Sequence, residues 1–336
     1  MAAILAIEST CDETAAAVVV DGERVLSSVI ATQFDLHAKY RGVVPEIASR
    51  AHLENILPVI RESLAKANHS LEQLDAIAVA HRPGLIGSLL IGVTAAKTLA
   101  WSLDKPLIAV DHVQAHLFSV ALEGNARVDF PAVGLVASGG HTALYHLRSF
   151  LDLELVGSTL DDAVGEAYDK VASILNLGYP GGPIIDMLAL NGDPAAIRFP
   201  RTFLDRDSLD FSFSGLKTSV LYHVRGPLGR DEPKLTDQQT ADIAASFQAA
   251  CVDVLREKLR RAAARFNARS ILIGGGVSAN RGLRAAMKDF PIPVLFPRPE
   301  FCTDNAAMIA GLAYLLLKSG KTSGLDLDAV TYSQIE

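Results

Sequence analysis

The chain has 336 residues, of which 49% are hydrophobic and 21% charged, with one Trp and a formal net charge of −7. This length and balance suit two domains with separate cores and exclude a disordered chain. The negative charge argues against a freestanding nucleic-acid binder, so an RNA ligand would need a local cationic patch or a partner to supply positive potential.

The opening Met1–Thr10 run is apolar, lacks a basic leader and continues into Cys11-Asp12-Glu13-Thr14, which predicts a first strand rather than a secretory signal. Strands are expected at Ala3–Ile7, Ala15–Val20 and Arg24–Ile30, the first two joined by the polar turn Glu8–Thr14. Glu8, Asp12 and Glu13 crowd that turn. Carboxylates at the end of a first strand can hold a metal or act as bases, and they can equally line a solvated turn. The next strand, Ala76–Ala80, leads through Pro83–Gly87 into a helix reaching Trp101. Its apolar stretch from Leu85 is interrupted by Gly87, Gly92 and Lys97, which speaks against a membrane span.

A strand at Leu107–Val110 then gives way to a helix opening at His112. His112 and His116 share one face of that helix and can chelate one ion, although two helical histidines without a metal are equally common.

From Pro131 the plan repeats. Strands are expected at Ala132–Ala137, Ala143–Leu147 and Leu153–Val156, with the turn Ser138–Thr142 between the first two. Asp161, Asp162, Glu166 and Asp169 form an acidic cluster ahead of Tyr179-Pro180-Gly181-Gly182-Pro183, which reads as a rigid ligand-facing turn or as a loop between two helices. Thr236–Ala268 is one long helix: Thr236 and Gln239 can form a capping box, and Ile243, Phe247, Cys251 and Val254 recur at core spacing. Its end carries Arg256, Lys258, Arg260, Arg261, Arg265 and Arg269 against Glu257, either a solvated face that complements the helix dipole or a hold for RNA phosphate. A strand at Ser270–Ile273, the run Gly274-Gly275-Gly276, a helix from about Asn280, a strand at Val294–Phe296 and a helix opening near Asp304 complete the copy.

Two copies of one α/β unit predict two lobes related by a pseudo-twofold axis, with a cleft between them. The expected division is 1–125 and 126–303, with a helix over 304–320 packing back on the first lobe. Asp304 follows the last strand of the second copy as His112 follows that of the first, so the symmetry would set Asp304 across the cleft from His112 and His116. Two histidines and a carboxylate with open positions suit Fe(II) or Zn(II). The loops Ser138–Thr142 and Gly274–Asn280 lack the Gly-Lys-Ser/Thr of a P-loop, yet their glycines would let backbone amides approach a phosphate or ribose. Three scattered cysteines, Cys11, Cys251 and Cys302, offer no disulfide framework and suggest a reducing, cytoplasmic setting.

Together, several long motifs resemble the TsaD family of tRNA threonylcarbamoyladenosine synthases, once described as glycoproteases. They include Ile7–Thr14, Gly42–Glu46 with Ala48-Ser49-Arg50 and His52, and Ser138–Thr142. Gly165–Lys170, Tyr179–Pro183, Phe211–Thr218, Gly275–Arg281 and Arg298–Asn305 continue the match along nearly the whole chain. The resemblance implies an α/β fold of two duplicated actin/Hsp70/sugar-kinase-like (RNase H-like) lobes. It implies one metal ion per subunit on His112, His116 and Asp304, usually iron and sometimes zinc. Val136, Ala137, Ser138, Gly139, Gly140, Asp169, Gly182, Asp186 and Asn280 would hold the nucleotide-like substrate, and Asp12 and Glu13 match first-turn acids tied to activity.

The implied reaction moves threonylcarbamoyl from threonylcarbamoyl-AMP to N6 of adenosine 37 in tRNAs reading codons that begin with A. The implied partners are tRNA, an inactive paralogue of the same fold and a small P-loop ATPase. One departure stands out: Arg82 occupies a position where the family pattern has glycine, as in Gly-Pro-Gly. Among rival readings, a metal-dependent glycopeptidase lacks a general base, since Val113 follows the first histidine where HExxH has Glu. A sugar-kinase-type ATPase of the same fold would have no need of the triad, and a scaffolding paralogue would not retain it.

Overall fold

The computed structural model describes residues 1–336 except 41, 206, 229–233, 334 and 336. It divides into two compact units. Unit 1 comprises Met1–Val128, Phe150–Asp152 and Pro297–Glu336, and unit 2 comprises Asp129–Ser149 and Leu153–Phe296.

Unit 1 runs β1 (Ala3–Glu8), β2 (Glu13–Val20), β3 (Arg24–Thr32), α1 (Phe34–Ala38), α2 (Pro45–Ala67), β4 (Ala76–Arg82), α3 (Ile86–Leu103), β5 (Leu107–Asp111) and α4 (His112–Phe118). Unit 2 follows with β6 (Ala132–Ala137), β7 (Thr142–Ser149), β8 (Asp152–Ser158), α5 (Val164–Ile174), α6 (Gly181–Ala189), α7 (Ser214–Arg225), α8 (Asp237–Arg265), β9 (Ser270–Gly274), α9 (Arg281–Ala286) and β10 (Val294–Leu295). The last helix, α10 (Ala306–Lys318), returns to unit 1.

The sheet orders are β3-β2-β1-β4-β5 and β8-β7-β6-β9-β10, so strand for strand they are one topology. In each, the first strand pairs antiparallel with the second and parallel with the fourth, as in Ala6 with Ala17 and Ala78, or Leu135 with Leu144 and Ile273. The duplication read from turn order is therefore present in the hydrogen-bonded ladders.

The central strands β1, β2 and β4 of unit 1 are apolar on both faces, and both faces are covered. With period two, Ile4 and Ala6 of β1 join Ala15, Ala17 and Val19 of β2 on the face that receives α10. Leu5, Ile7, Ala16 and Val18 point the other way, toward α2 and α3. In unit 2, Val133, Leu135 and Ala137 pack with residues of α5, α7 and α8 such as Val171, Val220 and Phe247. The capping box of α8 forms as expected, Thr236 Oγ1 accepting from Gln239 N at 3.2 Å and Gln239 Oε1 from Thr236 N at 2.9 Å. All four residues read at core spacing are buried.

Gly87 and Gly92 do not interrupt α3, which is a continuous helix long and apolar enough, by length and composition, to cross a membrane. Here its Leu89, Val93, Ala96 and Ala100 face packs into the core of unit 1.

Lys258, from the basic run of α8, is fully buried instead of solvated. Its Nζ donates to the carbonyls of Phe203 and Ser208 at 2.7 Å each, tying that loop to the helix. Burial, and after it the nearby Arg261 charge, lowers its pKa from 10.5 to about 8. Between these values the unfolded chain holds a proton that the native chain has released, so this group makes unfolding free energy rise with pH across that window. Below the window its cost is present in full. Lys258→Met should abolish this upward slope when denaturant unfolding is compared on both sides of the window. Above the window, where the native amine is neutral, the two carbonyls left unpaired would lower stability by about 1–3 kcal/mol each.

Candidate functional site

In unit 1 the turn after β1 is fastened before it does any chemistry. Thr10 N donates to Glu8 Oε1 at 2.6 Å, and Ser9 Oγ donates to the Ser88 carbonyl at 2.9 Å. Buried His52 on α2 bridges the turn, with Nδ1 2.8 Å from Thr14 Oγ1 and Nε2 3.0 Å from the Cys11 carbonyl. Burial lowers the pKa of His52, which suits a neutral ring that donates from one nitrogen and accepts at the other. Asp12 and Glu13 sit on this support, both buried. Burial, followed by the Asp304 and Asp12 charges, raises the pKa of Glu13.

The seven-residue helix α4 carries His112 and His116 about one turn apart. Asp111 caps it, Oδ1 accepting from Val113 N at 3.0 Å and Gln114 N at 3.2 Å. Asp304 arrives from the segment just ahead of α10, whose cap is Asn305, accepting from Met308 N at 3.0 Å. Asp304 Oδ1 lies 3.1 Å from His116 Nε2 and 3.5 Å from His112 Nε2.

All three donors belong to unit 1: Asp304 lies with the helix expected over 304–320, and not across from the histidines as the pseudo-symmetry alone suggested. The reason is hydrophobic: α10 buries Ala306 through Ala313 in the core that covers β1 and β2, and it carries Asp304 back with it.

The donor set fits a divalent ion. One ligand atom from each of His112, His116 and Asp304 lies within 4.8 Å of the others, and the two rings are buried. Behind His112, Glu8 Oε2 meets Nδ1 at 2.8 Å, which fixes the ring with Nε2 toward Asp304, the outer-shell carboxylate usual behind a metal-bound imidazole. Burial opposes a charge on His112, but the Glu8 and Asp304 carboxylates outweigh it and raise its pKa to about 9. For His116, burial and then the His112 charge prevail and the pKa is lowered.

Arg82, in place of the expected glycine, ends β4, and its Nε lies 3.1 Å from Asp111 Oδ2. Ser333 Oγ donates to the same oxygen at 2.9 Å.

In unit 2 the sequence-predicted binding residues gather at the carboxyl ends of the parallel strands β6 and β9. Val136 and Ala137 are buried strand residues. Ser138 closes the following turn, its N donating to the His141 carbonyl at 2.8 Å and its Oγ accepting from His141 N at 3.1 Å. A Cβ on Gly139, Gly140 or Gly182 would meet nothing, so the space beside these backbones is open. Gly275 differs: at φ +85° its backbone abuts the Ala137 carbonyl, so glycine is required by the fold.

Asp169 Oδ1 accepts from Gly181 N at 2.7 Å and holds the start of α6, so the Pro-Gly-Gly-Pro segment lies between two helices as well as beside open space. Asp186 accepts from Arg281 N at 3.1 Å and Nε at 2.8 Å. The Asn280 side chain already has two duties: Oδ1 caps α9 through Leu283 N at 2.8 Å, and Nδ2 donates to Gln248 Oε1 at 2.6 Å.

All four acids in the cluster at 161–169 have structural partners: Asp169 holds α6 as described, and Glu166 pairs with Lys170 at 2.9 Å and accepts from Ala163 N at 3.4 Å. Asp161 accepts from Phe213 N, Ser214 N and the Ser212 and Ser214 hydroxyls, and Asp162 pairs with Lys170 and Lys217. Sequence reasoning missed the supporting roles of Glu8, His52 and Gln248. A polar residue inside an apolar run, as Glu8 ends β1, was the available signal.

Comparison with known proteins agrees with the motifs. The family model described as TsaD, tRNA N6-adenosine threonylcarbamoyltransferase, matches residues 24–311. A Symbiobacterium thermophilum protein of that name is 54% identical over 333 residues, covering 97% of this chain and 95% of its own. One from Moorella thermoacetica is 51% identical over 334 residues, with the same coverage. Among solved structures, HypF of T. kodakarensis superposes with a TM-score of 0.63 at 17% identity, covering 95% of this chain and 48% of that one. That likeness is one of fold.

His112→Ala should remove bound metal, read by elemental analysis, while the thermal melt stays cooperative. Glu8→Gln keeps the shape behind His112 without its charge and should weaken metal affinity roughly 10–100-fold. Full metal occupancy in His112→Ala protein would eliminate the assignment.

Proposed function

This chain belongs to the TsaD family of tRNA N6-adenosine threonylcarbamoyltransferases, and we propose that it transfers threonylcarbamoyl from threonylcarbamoyl-AMP to N6 of adenosine 37 in tRNAs reading codons that begin with A. The observation that carries the reading is that a chain matching this family along its length also gathers His112, His116 and Asp304 into one donor set. The bond that forms joins N6 to the carbamoyl carbon, the bond that breaks is the carbon–oxygen bond to phosphate, and AMP leaves with the electron pair.

In unit 2, Val136 to Gly140, Asp169, Gly182, Asp186 and Asn280 hold the nucleotide portion of the adenylate. The open backbones at Gly139, Gly140 and Gly182 admit phosphate or ribose at close range. In unit 1, Asp12 and Glu13 supply the carboxylate that takes the proton lost by the attacking amine. Both carboxyls are buried, and burial, followed by the Asp304 and Asp12 charges, raises the Glu13 carboxyl. Glu8 orients His112, and the Asp111 cap fixes the pitch of the helix that bears both histidines. An ion held by His112, His116 and Asp304, iron with zinc as the alternative, one per subunit, supplies Lewis acidity toward a carbonyl or phosphate oxygen.

The peptidase reading finds no support here, since Val113 is buried and apolar where a general base would stand. The sugar-kinase-type reading shares the fold and leaves the triad without a purpose. An inactive paralogue of the same fold and a small P-loop ATPase would complete the working assembly, in the cytoplasm.

Depleting this protein should abolish threonylcarbamoyladenosine in total tRNA, measured by mass spectrometry of nucleosides. Wild-type protein should restore it and His112→Ala should not. Unchanged nucleoside levels after depletion would remove the proposed reaction.

For the nucleotide contact, Asn280→Ser preserves a capping oxygen and shortens the side chain. It should lower AMP affinity about tenfold by calorimetry, the loss of roughly one hydrogen bond, with metal content unchanged. Equal affinity would confine Asn280 to its cap.

A further inference from the structure

On unit 2, α8 and the segment 194–203 enclose an open groove of about 1370 Å³. Five arginines line it, Arg198, Arg201, Arg256, Arg260 and Arg261, against two acids, Asp253 and Glu257. Five against two leaves three net positive charges at one place on a chain whose total is −7. That contrast is local and has a structural origin.

The arginines fall into two groups. Arg201 is held by Asp253 at 3.0 Å and by the Phe199 carbonyl at 2.8 Å. Arg260 and Arg261 both reach Glu257 at 2.8 Å, and together they hold its carboxyl at about 2, well below the usual range. Arg261 Nη1 also donates to the Phe203 and Asp205 carbonyls at 3.3 and 3.2 Å, next to the buried Lys258 anchor of the same loop. These guanidiniums are preorganised by the fold. Arg198 and Arg256 are the other group: both are exposed, and neither has a hydrogen bond or ion pair among the described residues. Half-buried Phe203 and Phe290 add apolar surface to the same lining.

We propose that this groove is a docking surface for the phosphodiester backbone of RNA, in this chain the tRNA substrate. The inference rests on the transferase reading above. Planar guanidinium forks match phosphate bidentately, and a groove whose free cations are all arginine favours that ligand over a point-charge contact. The groove also answers a need set by charge: a chain at −7 has no general attraction for a polyanion and must concentrate its cations.

The test uses the full-length protein, an unmodified tRNA transcript and no other protein, with binding followed across a salt series. Arg198→Glu with Arg256→Glu should weaken binding at least tenfold at low salt. Every phosphate that is no longer neutralised should also reduce the slope of log affinity against log salt by about 0.9, roughly two for the pair. Arg198→Lys with Arg256→Lys should recover most of that slope, because charge is retained. AMP affinity and the thermal melt should not move in either variant.

Unchanged tRNA affinity and slope in the reversal variant, with tRNA still modified in cells, would overturn the groove and leave the transferase reading intact. Reversal that blocks modification in cells without altering tRNA binding would assign the groove to an acidic protein surface and overturn the RNA proposal. Wild-type protein that neither binds tRNA nor supports its modification would overturn both.

Discussion

Asp304 reaches His112 and His116 because α10 cannot stay in water. Its sequence, AAMIAGLAYLLLK, is apolar on nearly every side, and the eight residues from Ala306 to Ala313 are buried. At about 25 cal/mol per Å² of apolar surface, leaving such a helix exposed would cost several kcal/mol. The inner face of unit 1, lined by Ile4, Ala6, Ala15 and Ala17, is the surface that receives it. Gly311 shows how tightly it is seated, since a Cβ there would run into the Phe118 ring. The position of Asp304 is thus decided by hydrophobic burial, and the Asn305 cap fixes where the helix begins.

That placement completes a concentration of carboxylates around the first turn and the two histidines. Glu8 is fully buried, Asp12 and Glu13 are nearly so, and Asp304 is half-buried beside two imidazoles. Carboxylates gathered away from water repel each other and lose hydration, which explains why Glu13 is driven toward its neutral form and His112 toward its charged one. A divalent cation held by His112, His116 and Asp304 would relieve both strains, and the Nδ1 contact with Glu8 would stay in place behind the ring.

Much of the scaffold was legible in the sequence because burial leaves a period. The alternation of β1 between two cores, the strand boundaries of β6 and the capping box of α8 all follow from residue type at fixed spacing. Partners at long range leave no such trace. Nothing local links Glu8 to His112, 104 residues apart, and nothing local says that Lys258 turns inward to two carbonyls while Arg256 and Arg260 stay outside. Pseudo-symmetry alone misled for Asp304, since it describes strand order, whereas the apolar character of the helix over 304–320 is what pointed back to the first lobe. The residues of unit 2 show a further limit. Asn280, Asp169 and Asp186 each make hydrogen bonds that the fold itself needs, so sequence cannot separate structural duty from ligand contact at those positions.

Arg82 illustrates how a departure from a family pattern can be absorbed without loss of the site. Helix α4 has seven residues, too few to be stable alone, so its ends determine its position. Asp111 serves the N-terminal end with one carboxylate oxygen on two backbone amides. Its second oxygen, in a side chain that is almost wholly buried, would be an unsatisfied acceptor without Arg82 and Ser333. The arginine reaches it from the end of β4, the strand that pairs with β5 and so already lies beside Asp111. A glycine there would leave that oxygen to Ser333 and water. The substitution therefore adds a charge-assisted contact to the cap of the helix that carries His112 and His116.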